Sequence, residues 1–267
     1  MRKYISFFRM SLISGMQYRA AAWAGIATQF FFGFFKLMIF RAFYRSSGAE
    51  PPMMWEQLAA YLWLQQAFLA MTMLWYIDNE LISSITDGHV AYELCRPYDI
   101  YSAWYARLIA MRLSSAAMRC LPILFVAFLL PGDFRLMPPA DAGALAAFLL
   151  SMVLSLLLVV AISMFAYILT FITMSPFGAR LLIGSFSEIL SGMTIPIPLM
   201  PEWMQTLTGF FPFRYTLDLP FRLYSGNIVG TDALFQLGVQ AAWIIGLFAL
   251  GKFAFARVTR RIVIQGG

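Results

Sequence analysis

SGMTIPIPLMPEWMQTLTGFFPFRYTLDLPFRLY, residues Ser191–Tyr224, is the stretch whose reading decides the fold. Pro196, Pro198, Pro201 and Pro212 each remove a backbone donor and restrict the residue before them, so no continuous helix runs from Ile195 through Phe213. The chain must break and turn back here. Yet Ile195, Ile197, Leu199, Met200, Trp203, Met204, Leu207, Phe210, Phe211 and Phe213 make the stretch too apolar for a loop held wholly in water. Irregular backbone is tolerated at membrane depth only where protein or a wet cavity covers it. Residues 194–224 therefore read as a re-entrant helical segment, tucked against other helices on the far side of a membrane.

The rest of the chain supplies those helices. Of its 267 residues 61% are hydrophobic and only 12% charged, and the mean hydropathy is +0.74, which excludes an ordinary soluble protein. Apolar runs near residues 20–40, 58–77, 110–130, 142–171 and 233–251 are each long enough to cross a bilayer, which takes about 20 residues. A shorter run, 181–193, needs the re-entrant segment to complete it, giving about six crossings in an all-α membrane protein. No repeat or separate soluble stretch interrupts them, so residues 1–267 form one transmembrane domain. Within residues 1–19, Tyr4, Ile5, Phe8, Leu12 and Met16 recur at helical spacing. That pattern suits an amphipathic helix lying in the headgroup region, or equally the frayed start of the first span.

The formal net charge is +6, but it is not gathered into one patch, so no nucleic-acid partner is expected. If the loop after the first span faces outward, Arg2, Lys3, Arg9, Arg19, Arg96, Arg107, Arg112, Arg180, Lys252, Arg257, Arg260 and Arg261 all lie inside. Only Arg41, Arg45, Arg135, Arg214 and Arg222 lie outside, and the asymmetry places both termini in the cytoplasm. The basic residues throughout the first 19 positions lead us to expect a retained N-terminus rather than a cleaved leader. Cys95 and Cys120 suggest neither a disulfide nor a metal site.

Residues 78–105 form the main cytoplasmic loop. Gly88 permits a tight turn and Pro97 disfavours helix at Arg96, so short helices flanking a bend are expected. Elsewhere the loop is poor in chemistry. His89 is the lone histidine, with no nucleophile or carboxylate constellation around it. Gly246–Lys252, GLFALGK, has the spacing of a phosphate-binding loop, but Phe253 replaces the metal-binding hydroxyl and no strand precedes it. No catalytic residue, metal site or cofactor is therefore expected in this chain.

Polar groups inside the spans are more telling, because a charge at the bilayer centre costs on the order of 3 kcal/mol even on the mild insertion scale. Arg119 and Glu188 should face the protein interior, either as a structural ion pair or, for Glu188, lining a substrate path. Gln65 and Gln66 cannot both point the same way, so at least one faces a partner helix or a cavity. Gln29, Gln65, Gln66, Glu188, Met193, Pro196 and Pro198 are the candidate pathway or gate residues. The aromatic run around Gly33 fits either a path for an amphipathic substrate or a lipid-facing surface.

Taken in order, Gly192, Pro196, Pro198, Pro201, Trp203, Pro212, Tyr215, Asp218 and Arg222 resemble the extracellular re-entrant hairpin of type 2 ABC transporter permeases. The string ITDGHVAYELCRPYDIYSAW resembles the same family's coupling helix, between the second and third spans. The resemblance covers nearly the whole chain. It implies an exporter subunit in the bacterial cytoplasmic (inner) membrane, paired with an identical or related second permease. Separate ATPase subunits would bind ATP and magnesium and dock on Val90, Tyr92, Glu93, Leu94, Arg96 and Tyr98, unless that loop helix is only an interfacial anchor. The substrate would be a hydrophobic or amphipathic drug, lipid or natural product. An ion-coupled transporter or channel without an ATPase is the rival expectation, and a structural or enzyme-anchoring membrane subunit a third.

Overall fold

The computed structural model describes residues 2–16, 19–46 and 51–260. The side chains of residues 1–7, among them Tyr4 and Ile5 of the expected amphipathic face, lie outside the description, as does Arg261 of the C-terminal basic group. Among the described residues the secondary structure is entirely helical: α1 (Arg2–Gly15), α2 (Arg19–Ser46), α3 (Trp55–Ala67), α4 (Leu69–Thr72), α5 (Asn79–Thr86), α6 (Val90–Leu94), α7 (Ile100–Leu129), α8 (Ala142–Thr173), α9 (Pro176–Leu190), α10 (Glu202–Gly209), α11 (Arg214–Tyr224) and α12 (Gly230–Thr259), with 3-10 turns at Gly132–Phe134 and Ile197–Leu199.

Among the described residues four helices are long and apolar enough to cross a membrane: Ala22–Ser46 within α2, then α7, α8 and α12. At about 1.5 Å per residue, the 30 residues of α7 or α12 exceed a hydrocarbon core of about 30 Å. The most apolar of them, α8, reaches a mean hydropathy of 2.9 over 18 of its residues. A helix apolar on every side belongs in the centre, and α8 packs against α12, α11, α9, α7, α5 and α4. Asp141 caps its start, accepting from Ala144 N at 2.7 Å. Met174, in the left-handed region at φ 51°, ends it, and Ser175 with Pro176 starts α9 at once.

The bundle has two ends. At the loop end, Lys252 of α12 pairs with Asp99, just before α7, at 2.9 Å, and α5–α6 project from the same end. At the hairpin end, the turn between α7 and α8 is tied to its neighbours. Trp55 Nε1 donates to Asp133 O at 2.7 Å and Trp63 Nε1 to Phe134 O at 2.8 Å, while Arg41 pairs with Asp133. The end of α11 joins there, with Tyr224 Oη donating to Met137 O at 3.0 Å.

Two expected spans take a different form. The run 58–77 is not one helix: α3 ends at Ala67, α4 is a single four-residue turn, and Met73 is extended at φ −65°, ψ 126°. The third expected span begins ten residues early, at Ile100, which carries Arg107 into α7 and sets Arg112 well inside it. Arg112 is therefore not a loop cation. It is fully buried, and its guanidinium donates to Met73 O at 2.5 Å, Met71 O at 3.3 Å, Tyr76 O at 2.9 Å and Ser163 Oγ at 2.9 Å. The break in the second run frees carbonyls, and the arginine satisfies them. Removing a guanidinium from water costs several kcal/mol, and hydrogen bonds from the charged group to each of these acceptors offset it.

The proline-rich stretch breaks as expected. After Leu190 the chain turns through Gly192, at φ 83°, then through the 3-10 turn, α10 and α11. Gln205 Nε2 donates to Met200 O at 2.8 Å and Pro198 O at 3.3 Å, folding α10 back on the turn. While α10 exposes Trp203 and Leu207, α11 is buried almost throughout against α8 and α3.

Candidate functional site: a buried polar track and an anchored loop

The turn after α9 is held from two helices. Lys36 Nζ on α2 donates to Gln65 Oε1 on α3 at 2.7 Å and to Met193 O at 2.9 Å. Gln65 Nε2 also donates to Met193 O, at 2.7 Å. One helical turn away on α3, the Tyr61 hydroxyl lies within reach of Gly192 O at 3.3 Å and of Asp218 Oδ1 at 3.2 Å, so its single proton serves one acceptor at a time. Asp218, fully buried on α11, meets Arg222 at 3.5 Å, and Arg222 Nε donates to Asn227 Oδ1 at 2.7 Å. A polar track thus runs from Lys36 through Gln65, the 192–193 backbone and Tyr61 to Asp218 and Arg222.

Gly192 is required at its position. Besides its positive φ, a Cβ there would lie 2.7 Å from the Tyr61 hydroxyl. Gly33 plays a packing role one helix away, since a Cβ on it would meet the Trp63 ring at 2.8 Å. Gln66 is buried beside that contact, so Gln65 and Gln66 do point different ways, with Gln65 on the track.

Of the candidate pathway residues, the structure brings together Gln65 and Met193, while Glu188 is exposed on α9 outside the track. Pro196 and Pro198 are buried in the turn that follows. Gln29 lies about 10 Å along α2 from Lys36, at 1.5 Å per residue, and its Oε1 is buried with no hydrogen-bond partner among the described residues. The expected pair of Arg119 and Glu188 does not form: among the described residues no ion pair joins them. The Arg119 guanidinium instead packs on Gly25 of α2, where a Cβ would fall 2.9 Å from its Cζ, while Glu188 is exposed on α9. Tyr61 was not singled out by sequence reasoning, because a tyrosine in an apolar run looks like packing.

The loop 78–105 contains the expected short helices around a bend, α5 and α6, with Gly88 at φ 76° between them. It is anchored at both ends. Asp78 caps α5, accepting from Glu80 N at 3.0 Å, and Arg107 binds Asp78 at 2.7 Å and Glu80 at 2.5 Å. Trp104 Nε1 donates to Glu93 Oε2 at 2.8 Å, and Leu81, Ile85 and Val90 are buried beneath. Burial works against ionisation of the Asp99 carboxyl, but hydrogen bonds from Ser102 and Lys252 and the Lys252 charge outweigh it and hold the group below its ordinary pKa. Of the candidate coupling residues, Val90 and Glu93 thus face the protein, Tyr98 is half-buried, and Tyr92, Leu94 and Arg96 face outward, Tyr92 with 74% of its surface exposed.

Gly246–Lys252 lies wholly within α12, and Lys252 is engaged with Asp99, so the glycine spacing forms no phosphate loop. The chain matches no family model and none of the curated proteins.

Proposed function

We propose that this chain is the membrane-spanning subunit of an ATP-driven exporter, in the manner of type 2 ABC permeases. The observation that carries the reading is the anchored loop helix α6: Val90 and Glu93 fix it to the bundle while Tyr92, Leu94 and Arg96 stand outward. A lever needs that combination, a rigid root and a free contact face. ATP-bound subunits closing on this face would push α5 and α6, and the Arg107 and Trp104 anchors would pass the push to α7.

On this reading α3–α4 and α9 complete about six crossings with the four long helices, since neither piece reaches the roughly 20 residues of a full span alone. The loop end, with Arg96, Arg107, Arg180, Lys252 and Arg257, faces the cytoplasm of a bacterial inner membrane by the excess of cations there. Residues 194–224 are the outer re-entrant element, and the polar track beneath them closes the pathway for a hydrophobic or amphipathic substrate. A second permease, identical or related, supplies the other wall. Partner ATPase subunits bind ATP and magnesium.

The test is to purify the tagged full-length chain from its native membrane in mild detergent and assay ATP hydrolysis by what accompanies it. Recovery of an ATPase that is lost in the Tyr92→Ala/Arg96→Ala variant supports the reading; a chain that comes down alone, with no hydrolysis, refutes it. A second reading, ion-coupled transport without an ATPase, is favoured by one observation: Lys36 and the fully buried Asp218 are ionisable groups joined through the track, of the kind that proton relays use. Flux driven by an ion gradient in vesicles holding this chain without an ATPase would select it.

A further inference from the structure

We infer that the cleft between Trp75 and α9 is a headgroup site for an anionic phospholipid, with Arg180 as its cation. The cleft is lined by Trp75, Phe177, Arg180, Leu181, Gly184 and Glu188. Phe177, Arg180, Leu181, Gly184 and Glu188 fall on one face of α9 by their spacing of three and four residues. Gly184 lets the helix pass close to Trp75, since a Cβ on it would stand 3.3 Å from the Trp75 Cβ.

Depth selects the ligand. Because α9 starts at Pro176, directly after α8 ends at the loop end of the bundle, Arg180 sits about 6 Å from that end, where headgroups lie. Glu188 is about 12 Å deeper along the same helix, so its carboxylate lies away from the mouth. At the mouth, Arg180 is exposed and makes no ion pair among the described residues. The indole N–H of Trp75 is likewise buried with no acceptor among them. Around these donors the walls are apolar and open to the surroundings, with Phe177 76% and Leu181 56% exposed. Unmatched donors at headgroup depth call for an anionic oxygen, which a guanidinium binds in bidentate fashion when it belongs to a phosphate. The apolar walls call for acyl chains, so a lipid fits where a soluble anion leaves Phe177 and Leu181 uncovered.

The inference does not depend on the exporter reading and is tested without ATP. Native mass spectrometry of the full-length chain in detergent would compare palmitoyl-oleoyl phosphatidylglycerol with the phosphatidylcholine of the same chains. The site predicts a preference for phosphatidylglycerol that falls about tenfold in Arg180→Gln, the effect of one charge-assisted hydrogen-bonded contact. Arg180→Lys should retain part of it, because a lysine keeps the charge and loses the fork. Arg257→Gln, which removes an exposed cation from α12 near the same end, should bind as the unaltered chain does. A preference that survives Arg180→Gln, or that drops equally in Arg257→Gln, overturns the site in favour of diffuse surface charge. Displacement of the lipid by millimolar inorganic phosphate would also overturn it, since the acyl walls would then contribute nothing.

Discussion

Two breaks interrupt helices inside this bundle, and they are made in opposite ways. The break at 190–201 is written locally: Gly192, Pro196, Pro198 and Pro201 forbid a helix, and Lys36, Gln65 and Tyr61 then gather the freed carbonyls. The break at 67–77 contains neither proline nor glycine. What holds it open is a residue some 40 positions away, Arg112, whose guanidinium takes three backbone carbonyls at once. One break is forbidden from being a helix; the other is held away from it by a ligand that happens to be a side chain. The first should therefore survive loss of its partners as a looser turn, and the second should not survive loss of Arg112.

That contrast orders the expected effects. Arg112→Met should cost the most, several kcal/mol, because three backbone carbonyls lose a charged donor at about 1–3 kcal/mol for each one left unsatisfied, read as a large fall in the thermal unfolding midpoint in detergent. Stability unchanged by Arg112→Met would show that the 67–77 break needs no ligand. Lys36→Met should cost less, about 1–3 kcal/mol for an acceptor left with fewer donors, and should raise amide exchange over residues 190–200 more than elsewhere. Equal exchange increases in both breaks would erase the distinction between them. Tyr61→Phe should cost about 1 kcal/mol, the net worth of one neutral hydrogen bond, because Asp218 keeps Arg222.

The smallest effect concerns the loop end. Asp99 has a pKa depressed in the folded chain, so its contribution is present above the ordinary carboxylate range and is lost as pH falls through its folded value. Exchange at the end of α12 should accordingly stay slow near neutral pH and rise on acidification below that range. Asp99→Asn should give the acid behaviour at neutral pH; identical exchange in both chains would show that the Lys252 tether does not hold α12.

How far the sequence reveals these features follows from where their causes lie. The apolar runs of α2, α8 and α12 are visible because length and hydropathy are properties of consecutive residues. Gly88 and the proline series announce turns for the same reason. The start of α7 at Ile100 is hidden because Arg107 looks like a cation outside the span until Asp78 and Glu80 are placed beside it, and the use of Arg112 because its acceptors are the carbonyls of 71–76. Pairing Arg119 with Glu188 assumes that opposite charges in spans find each other; instead Glu188 is exposed on α9, and Gly25 leaves room for the arginine. Gln65 is legible as a polar residue with a purpose, but its acceptor, Met193 O, is backbone and carries no signature. In the loop, alternation of Val90 and Glu93 with Tyr92 and Leu94 is too short a pattern to say which face is outward, and Trp104 decides it.

The claim that α6 is the contact face of an ATP-driven exporter is tested most directly by placing a photoreactive amino acid at Tyr92 or at Val90 and irradiating native membranes. The account predicts an adduct with an ATPase subunit from position 92 and none from the buried position 90. Adducts only with lipid from position 92, or equal protein adducts from both positions, would contradict it.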